Sequence, residues 1–469
     1  MNFLDFQLRA WQASDDEVEV LVHSSPVGAM RRPVKVPFRM ASLKAICDLV
    51  RNNWLGEAGM LQRVVEAGKQ LSGILLPPEV YTYLLRSLER VGDDGLRLRL
   101  CLDHGLIDAP WEFLRRPDAL EDELMDGFLA TNSHLSLVRE APVESSGLEP
   151  SEKQQRMVIL GAYHVDGGDP WQVQDERQKL IKALAPVQKF LLIDNRFVTA
   201  AGNYIEEALS APVSVFHYSG HVDVENGRGF LVREITNSLF NNDVCNTSDF
   251  SPLFSDRKLG VLLGRSGVRV AVFSACNSGR WPFVEPLLKA GLPAFVGVQG
   301  STTCDAAIAF CQKLYSSVAI GLSLDEAVIY ARLHLREDGV VQGRDNCEWG
   351  SYMVYMPTTE AVLLPKPEEQ PQVQEQQEEV RRTASQIQSK HSLRVTILKA
   401  FKEEELEELC ADLEEDLKSA GKDLELDLEI VGGTTKEAKI RNLIEYLEHR
   451  NCLPSLLIAV RRARPEISI

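Results

Sequence analysis

The hydrophobic positions of this 469-residue chain change their rhythm along its length. Over residues 1–150, alternating runs mix with helical ones. Glu17–His23 and Pro33–Phe38 alternate apolar and polar side chains, as paired strands do. Ala41–Arg51, Gly56–Leu71 and Pro78–Val91 space their apolar residues as helices do, with Pro78 suited to a first turn. Leu96–Leu102 alternates strictly, which predicts one buried face and one wet face. Pro110–Leu114 reads as a short helical turn in which Trp111 is a packing anchor, and Phe128–Arg139 as a strand. Nothing in this stretch points to catalysis, and it is read as an accessory α+β region.

From 151 to 362 the pattern becomes an alternation of strands and helices. Short apolar runs at Met157–Tyr163, Lys189–Ile193, Val213–His221, Phe230–Val232, Val268–Cys276, Ala294–Val298 and Tyr352–Met356 read as strands. Amphipathic stretches at Gln172–Leu184, Asn203–Leu209, Leu253–Leu263, Phe283–Ala290, Asp305–Ile320 and Ser323–Leu335 read as helices. Ser323 with Glu326 three residues on has the spacing of a capping box. Such alternation predicts an α/β fold with a mostly parallel sheet flanked by helices.

Residues 363–391 are rich in Gln, Glu and Pro, a composition that builds no core and reads as a linker. Residues 392–469 form a small helical domain, with helical periodicity at Ser392–Phe401, Glu403–Leu413, Lys436–Glu448 and Leu453–Arg462. The acidic run Glu403–Glu408 and the basic run Arg461–Arg464 read as solvated faces on opposite sides of this bundle. Such patches would also suit head-to-tail docking with like domains.

Two apolar runs end in reactive residues. Val213–His221 closes on a histidine and Val268–Cys276 on a cysteine, 55 residues later, near the roughly 50 of caspase-like enzymes. Ligands of open α/β sheets sit beyond the carboxyl ends of the strands, so neighbouring strands would bring His221 and Cys276 to one rim. A free thiol has a pKa of about 8.5, and an imidazole beside it can take its proton and return one to a leaving amine. The developing oxyanion needs fixed donors, for which the backbone N–H groups of Val222 and Cys276 are the candidates. Asn277–Gly279 reads as a flexible turn that leaves Cys276 exposed. The bland alternative is that Cys276 is a small buried hydrophobe and His221 a satisfied core residue. His217 and His221 share a face of an extended strand but lie roughly 13 Å apart, too far to hold one zinc. No metal site is expected, and His217 reads as a core or supporting residue. Gly297–Gly300 lacks the spacing of a phosphate loop, so no nucleotide or other cofactor is expected.

Composition narrows the classes. The chain is 44% hydrophobic and 25% charged, ordinary for a globular protein. A net charge of -17 disfavours direct nucleic-acid binding, which needs a basic face. No apolar stretch approaches the roughly 20 residues of a membrane span. The amino terminus lacks the pattern of a secretory signal. Nine cysteines at irregular spacing suit a reducing, cytoplasmic setting.

Several motifs together resemble the CHAT family of caspase-like peptidases, related to separase. They are Ile107–Leu114, Val215–His221, Val270–Gly279, Gly300–Asp305, Phe310–Tyr315 with Gly321–Ser323, Ala331–Arg332 and Trp349–Tyr355. The resemblance runs from about residue 96 to 357 and implies a caspase-like sheet, a cysteine endopeptidase activity and a protein substrate. It places the family's catalytic pair on His221 and Cys276. It also places on Asp305 the acid that lines the S1 pocket of basic-specific relatives, although a helix-cap role fits that residue equally. Where the family has Gly after the histidine, this chain has Val222, which keeps the N–H but not the freedom of positive φ. Ala400–Phe401, Glu404–Cys410, Leu443–Arg450, Leu453–Leu457 and Arg464–Pro465 resemble the effector-associated, death-like domains of bacterial defence proteins. That likeness implies sensor or scaffold partners, and a role in antiphage defence or programmed cell death on a substrate such as a bacterial gasdermin. Two rivals stand beside this reading: a catalytically inactive CHAT scaffold, and a small-molecule cysteine amidase using the same pair.

Overall fold

The structure, a computed structural model, describes residues 3–51, 59–92, 94–119, 127–140, 155–163, 173–185, 191–199, 202–234, 250–336 and 347–356. Beyond these it describes residues 378 and 381 and most of 393–464. Nearly all of the Gln/Glu/Pro-rich linker therefore lies outside the described residues. The chain divides into two compact units, one of residues 1–118 and 128–381, the other of 119–127 and 382–469.

The first unit is built on one 11-stranded sheet. Its amino-terminal part holds β1 (Phe3–Ser14), β2 (Glu17–Ser24), β3 (Val34–Pro37), α1 (Met40–Arg51), α2 (Met60–Leu75), α3 (Pro78–Val91), β4 (Gly95–Leu102) and β5 (Leu135–Glu140). The next part holds β6 (Gln155–Tyr163), α4 (Val173–Ala183), β7 (Leu191–Thr199), α5 (Gly202–Ala208), β8 (Val215–Ser219), β9 (His221–Glu225), β10 (Arg228–Glu234) and β11 (Phe250–Ser255). Then come α6 (Asp256–Arg265), β12 (Val270–Ser274), α7 (Trp281–Lys289), β13 (Ala294–Val298), α8 (Cys304–Ala319), α9 (Leu324–Leu335) and β14 (Tyr352–Tyr355).

The strand order is β3-β2-β1-β4-β5-β14-β13-β12-β8-β6-β7. All pairs are parallel except β1–β2, β2–β3 and β13–β14. The expected mostly parallel α/β sheet is thus present, and it runs without a break through strands on both sides of residue 150. β8 and β12 read VFHYS and VAVFS and are buried along their whole length, as central strands covered by helices must be. Ser323 does cap α9, accepting from the Glu326 N–H at 3.4 Å.

Several expectations need correction. β4 is not wet on one face, because it lies between β1 and β5 and buries both arginines of its alternation. Arg97 bonds Asp325 at 2.7 Å and Asp5 at 3.1 Å; Arg99 bonds Glu140 at 3.2 Å and the Met356 carbonyl at 3.0 Å. β1 reads as a strand only once its partner is known, since it pairs parallel to β4 about ninety residues on. The helix expected from Leu253 begins at Asp256, and Phe250–Ser255 instead joins a separate three-stranded sheet, β11-β10-β9.

The second unit is a helical bundle containing α10 (Glu403–Ser419), α11 (Lys436–Glu448) and α12 (Leu453–Ala463). Its core gathers Leu406, Leu413, Ile440, Leu443, Leu447 and Leu456, each fully buried. The acidic and basic runs do not sit on opposite sides. Arg464 pairs with Glu405 at 3.0 Å and stacks 4.7 Å over the Phe401 ring, and Arg462 pairs with Asp416 at 2.6 Å. Arg462 and Arg464 are thus paired with acids of α10 in the same bundle.

Candidate active site

β8 and β12 are adjacent and parallel, with Val215 beside Val270 and Ser219 beside Ser274. One residue further on, the Gly220 N–H donates to the Ser274 carbonyl at 3.3 Å. His221 and Cys276 each follow two residues after their strand, at the same edge of the sheet. Cys276 is partly exposed; His221 keeps part of its surface exposed but buries its Nε2 atom. The chain leaves the sheet at His221, which opens β9 opposite Val232 of β10. Burial lowers the His221 imidazole from 6.5 to about 4, so it is neutral at pH 7. Tyr218, fully buried, has its phenol pushed up by burial, with the His221 backbone N–H countering part of that shift.

The turn after Cys276 is pinned rather than flexible. Asn277 takes a left-handed φ of 60° and its N–H donates to the Gly300 carbonyl at 2.8 Å. Gly279 N–H donates to the Val298 carbonyl at 2.8 Å, and Ser278 Oγ accepts from the Val298 N–H at 2.9 Å. A Cβ on Gly279 would come within 2.6 Å of Met353 Sδ, so a larger residue there would force Met353 to shift. The Cys276 Sγ donates towards the Thr302 carbonyl at 3.7 Å.

Val222 lies in β9 opposite Leu231 and is extended, so its branched side chain sits there without strain. Asp305 is exposed, the second residue of α8, beside the capping Thr303 whose Oγ1 accepts from the Ala306 N–H at 3.2 Å.

Sequence reasoning missed the groups behind these residues. Glu348 takes bonds from Thr302 Oγ1 at 3.1 Å, from Thr303 Oγ1 at 3.1 Å and from the Thr303 N–H. Thr302 Oγ1 also meets Tyr352 Oη at 2.9 Å, and Tyr352 stacks on Phe310 at 3.7 Å. Asp108, inside the Ile107–Leu114 motif, accepts from the Trp281 N–H at 2.9 Å and so fixes the start of α7, five residues after Cys276. That motif is itself held by the fully buried Arg139, which bonds the carbonyls of Ile107 at 2.6 Å and Ala109 at 2.8 Å and pairs with Glu112. No spacing signal could reveal these bonds, because each joins segments far apart in the chain.

Below the sheet edge, His217 contacts Tyr315 Oη at 3.1 Å, Ser219 Oγ at 3.0 Å and Glu176 at 3.4 Å. Burial opposes ionisation of Glu176, yet His217 and the hydroxyls of Ser219 and Ser274 hold its pKa below the ordinary value. Glu176, His217 and Cys311 bring one donor atom each within 4.8 Å of one another, a spacing open to a metal ion. His217 and Glu176 lie in a buried polar cluster with Tyr315 and Ser219, in which Glu176 Oε1 stands 3.4 Å from His217 Nε2. His217 is a buried polar residue of β8, the strand that leads to His221.

The CHAT domain family model matches residues 65–358, which include the whole of this edge and the strands that build it. The chain belongs to the CHAT family. The CHAT region begins earlier than the motifs alone indicated, taking in α3 and the part of α2 from residue 65. Residues 393–465 match Effector-associated domain 7, which covers the helical bundle. A search of curated proteins returns no match. Among solved structures, the Saccharomyces cerevisiae separase–securin complex is similar at 12% identity and a TM-score of 0.31, over 64% of this chain. The chain spans only 19% of the length of that separase-complex chain. The complex of Porphyromonas gingivalis RgpB pro- and mature domains is similar at 12% identity and a TM-score of 0.38, over 69% of this chain and 77% of that one. Among the described residues, no helix is long and apolar enough to cross a membrane.

Proposed function

We propose that the CHAT unit is a cysteine endopeptidase in which Cys276 is the nucleophile and His221 the acid/base. The observation that supports this most is the in-register parallel pairing of β8 with β12, which ends two residues short of His221 and of Cys276. A neutral imidazole at pH 7 is the form that accepts the thiol proton. Cys276 Sγ attacks the peptide carbonyl, the oxygen gathers charge against the N–H groups of Val222 and Cys276, and the amine leaves with the proton from His221. Water then attacks the acyl-enzyme, with His221 taking its proton.

Asp305, exposed beside the segment that faces the thiol, is proposed to favour Arg or Lys at the substrate's P1 position. The effector-associated domain is proposed to recruit a sensor or scaffold. The biological role proposed is effector cleavage in antiphage defence or cell death in the bacterial cytoplasm, on a substrate such as a gasdermin. Incubating wild type and Cys276→Ala with a peptide library tests the reading. Cleavage that disappears in Cys276→Ala is expected. Turnover of small amides alone would make the protein an amidase, and no Cys276-dependent turnover, even with the activating partner, would leave a scaffold.

A further inference from the structure

The nucleophile-bearing turn is met from outside the sheet by one segment, Gly300–Thr303. Gly300 supplies the carbonyl that takes the Asn277 N–H, and Thr302 supplies the carbonyl that faces Cys276 Sγ. Gly300 has a φ of 100°, a conformation that side chains disfavour, so the bend is a specific one. What holds it is a single carboxylate on another element. Glu348, in the 3-10 turn that leads into β14, is 4% exposed and takes both hydroxyls and one backbone N–H of Thr302 and Thr303.

We propose that Glu348 is a positioning residue for the Cys276 thiol: it clamps Thr302 so that its carbonyl fixes the direction of the Sγ–H bond. This rests on Cys276 being the nucleophile.

The chemistry comes from the acceptor. A carbonyl oxygen bonds the protonated thiol and repels a thiolate, so it favours the neutral form and aims its proton. In the resting enzyme this keeps the sulfur in one rotamer, ready to give its proton to His221. Burial raises the Glu348 carboxyl above its ordinary value against the threonine donors, and Asp305, from the first turn of α8, adds a like charge nearby. Tyr352 of β14 touches Thr302 as well, and its phenol is held neutral by burial, so it contributes a hydroxyl rather than a charge. The titratable neighbours of the clamp are Asp305 beside Glu348, and Cys311 and Cys276 beside Tyr352. A carboxylate suits this position because it accepts three bonds at once, which a neutral amide reproduces only in part.

The test is alkylation of Cys276 in the full-length protein by iodoacetamide, followed across pH by peptide mass spectrometry, beside peptide-cleavage kinetics. In Glu348→Ala, loss of the clamp frees the thiol from its acceptor. Its alkylation midpoint should move to lower pH, raising the thiolate fraction below the midpoint up to about tenfold. Cleavage should fall about 10- to 100-fold in kcat with KM within about twofold. Glu348→Gln, which keeps an acceptor oxygen, should restore most of both. Thr302→Val removes the hydroxyl that Glu348 holds while keeping the backbone carbonyl, and should shift the midpoint in the same direction; it decides the matter should Glu348→Ala not fold. An unchanged midpoint in a folded Glu348→Ala, or in Thr302→Val, overturns the proposal. The alkylation arm needs no substrate. A wild type that cleaves nothing would therefore remove the peptidase reading without deciding the clamp, and the midpoint would decide it.

Discussion

The neutral state of His221 makes a prediction that needs no substrate. Its imidazole titrates near 4 in the folded protein and near 6.5 when unfolded, because folding buries it. The unfolded chain therefore takes up a proton between pH 6.5 and 4 that the folded chain refuses. The sign is then fixed: stability is complete above 6.5, is lost as the pH falls through this window, and loses nothing more below 4. Linkage over these two values gives a loss of about 2 kcal/mol between pH 7 and pH 5 from this one group. Urea unfolding at the two pH values reads it, with His221→Gln as the comparison, since glutamine is polar and does not titrate. All six tryptophans precede residue 350, so their fluorescence follows the first unit and not the helical bundle. The wild type should lose about 2 kcal/mol more than His221→Gln between the two conditions, other carboxylates and histidines contributing equally to both. Equal losses would refute the reasoning and would mean that the imidazole is solvated well enough to charge.

Three further outcomes are expected. Asp305→Asn should reduce cleavage after Arg or Lys at P1 by about tenfold or more while leaving iodoacetamide labelling of Cys276 unchanged; fluorogenic peptides differing at P1 measure it. Arg139→Met should destabilise the first unit by about 3–5 kcal/mol in urea, because it leaves Glu112 buried without its partner and uncaps the carbonyls of Ile107 and Ala109. Leu443→Ala should cost the helical bundle about 2–5 kcal/mol, read by circular dichroism, and should leave peptide cleavage by the isolated activity unaltered if recruitment is the bundle's role.

The elements that carry the site were readable because their signals are local. β8, β12 and β13 are unbroken apolar runs, and α8 and α9 begin at Thr303 and Ser323, side chains whose oxygens accept from the third residue on. What escaped depends on distant partners. Arg97 and Arg99 looked solvent-facing because an alternating strand normally is; their burial follows from Asp325 and Glu140, supplied by α9 and β5. The Asn277 turn looked loose because its bonds go to Gly300 and Val298, on the next strand and its exit. Glu348 carries no local signal, and only the fold brings it to Thr302 and Thr303. The chemistry-bearing pair was visible as two strand ends, whereas the groups that aim the pair were not.

The central claim is that His221 acts on Cys276. Labelling the full-length protein with a peptide acyloxymethyl ketone carrying Arg at P1, then mapping the adduct by mass spectrometry, tests it most directly. The account predicts an adduct on Cys276 in preference to the other eight cysteines, and its loss in His221→Ala. An adduct spread over other thiols, or one on Cys276 that forms as fast without His221, would contradict it.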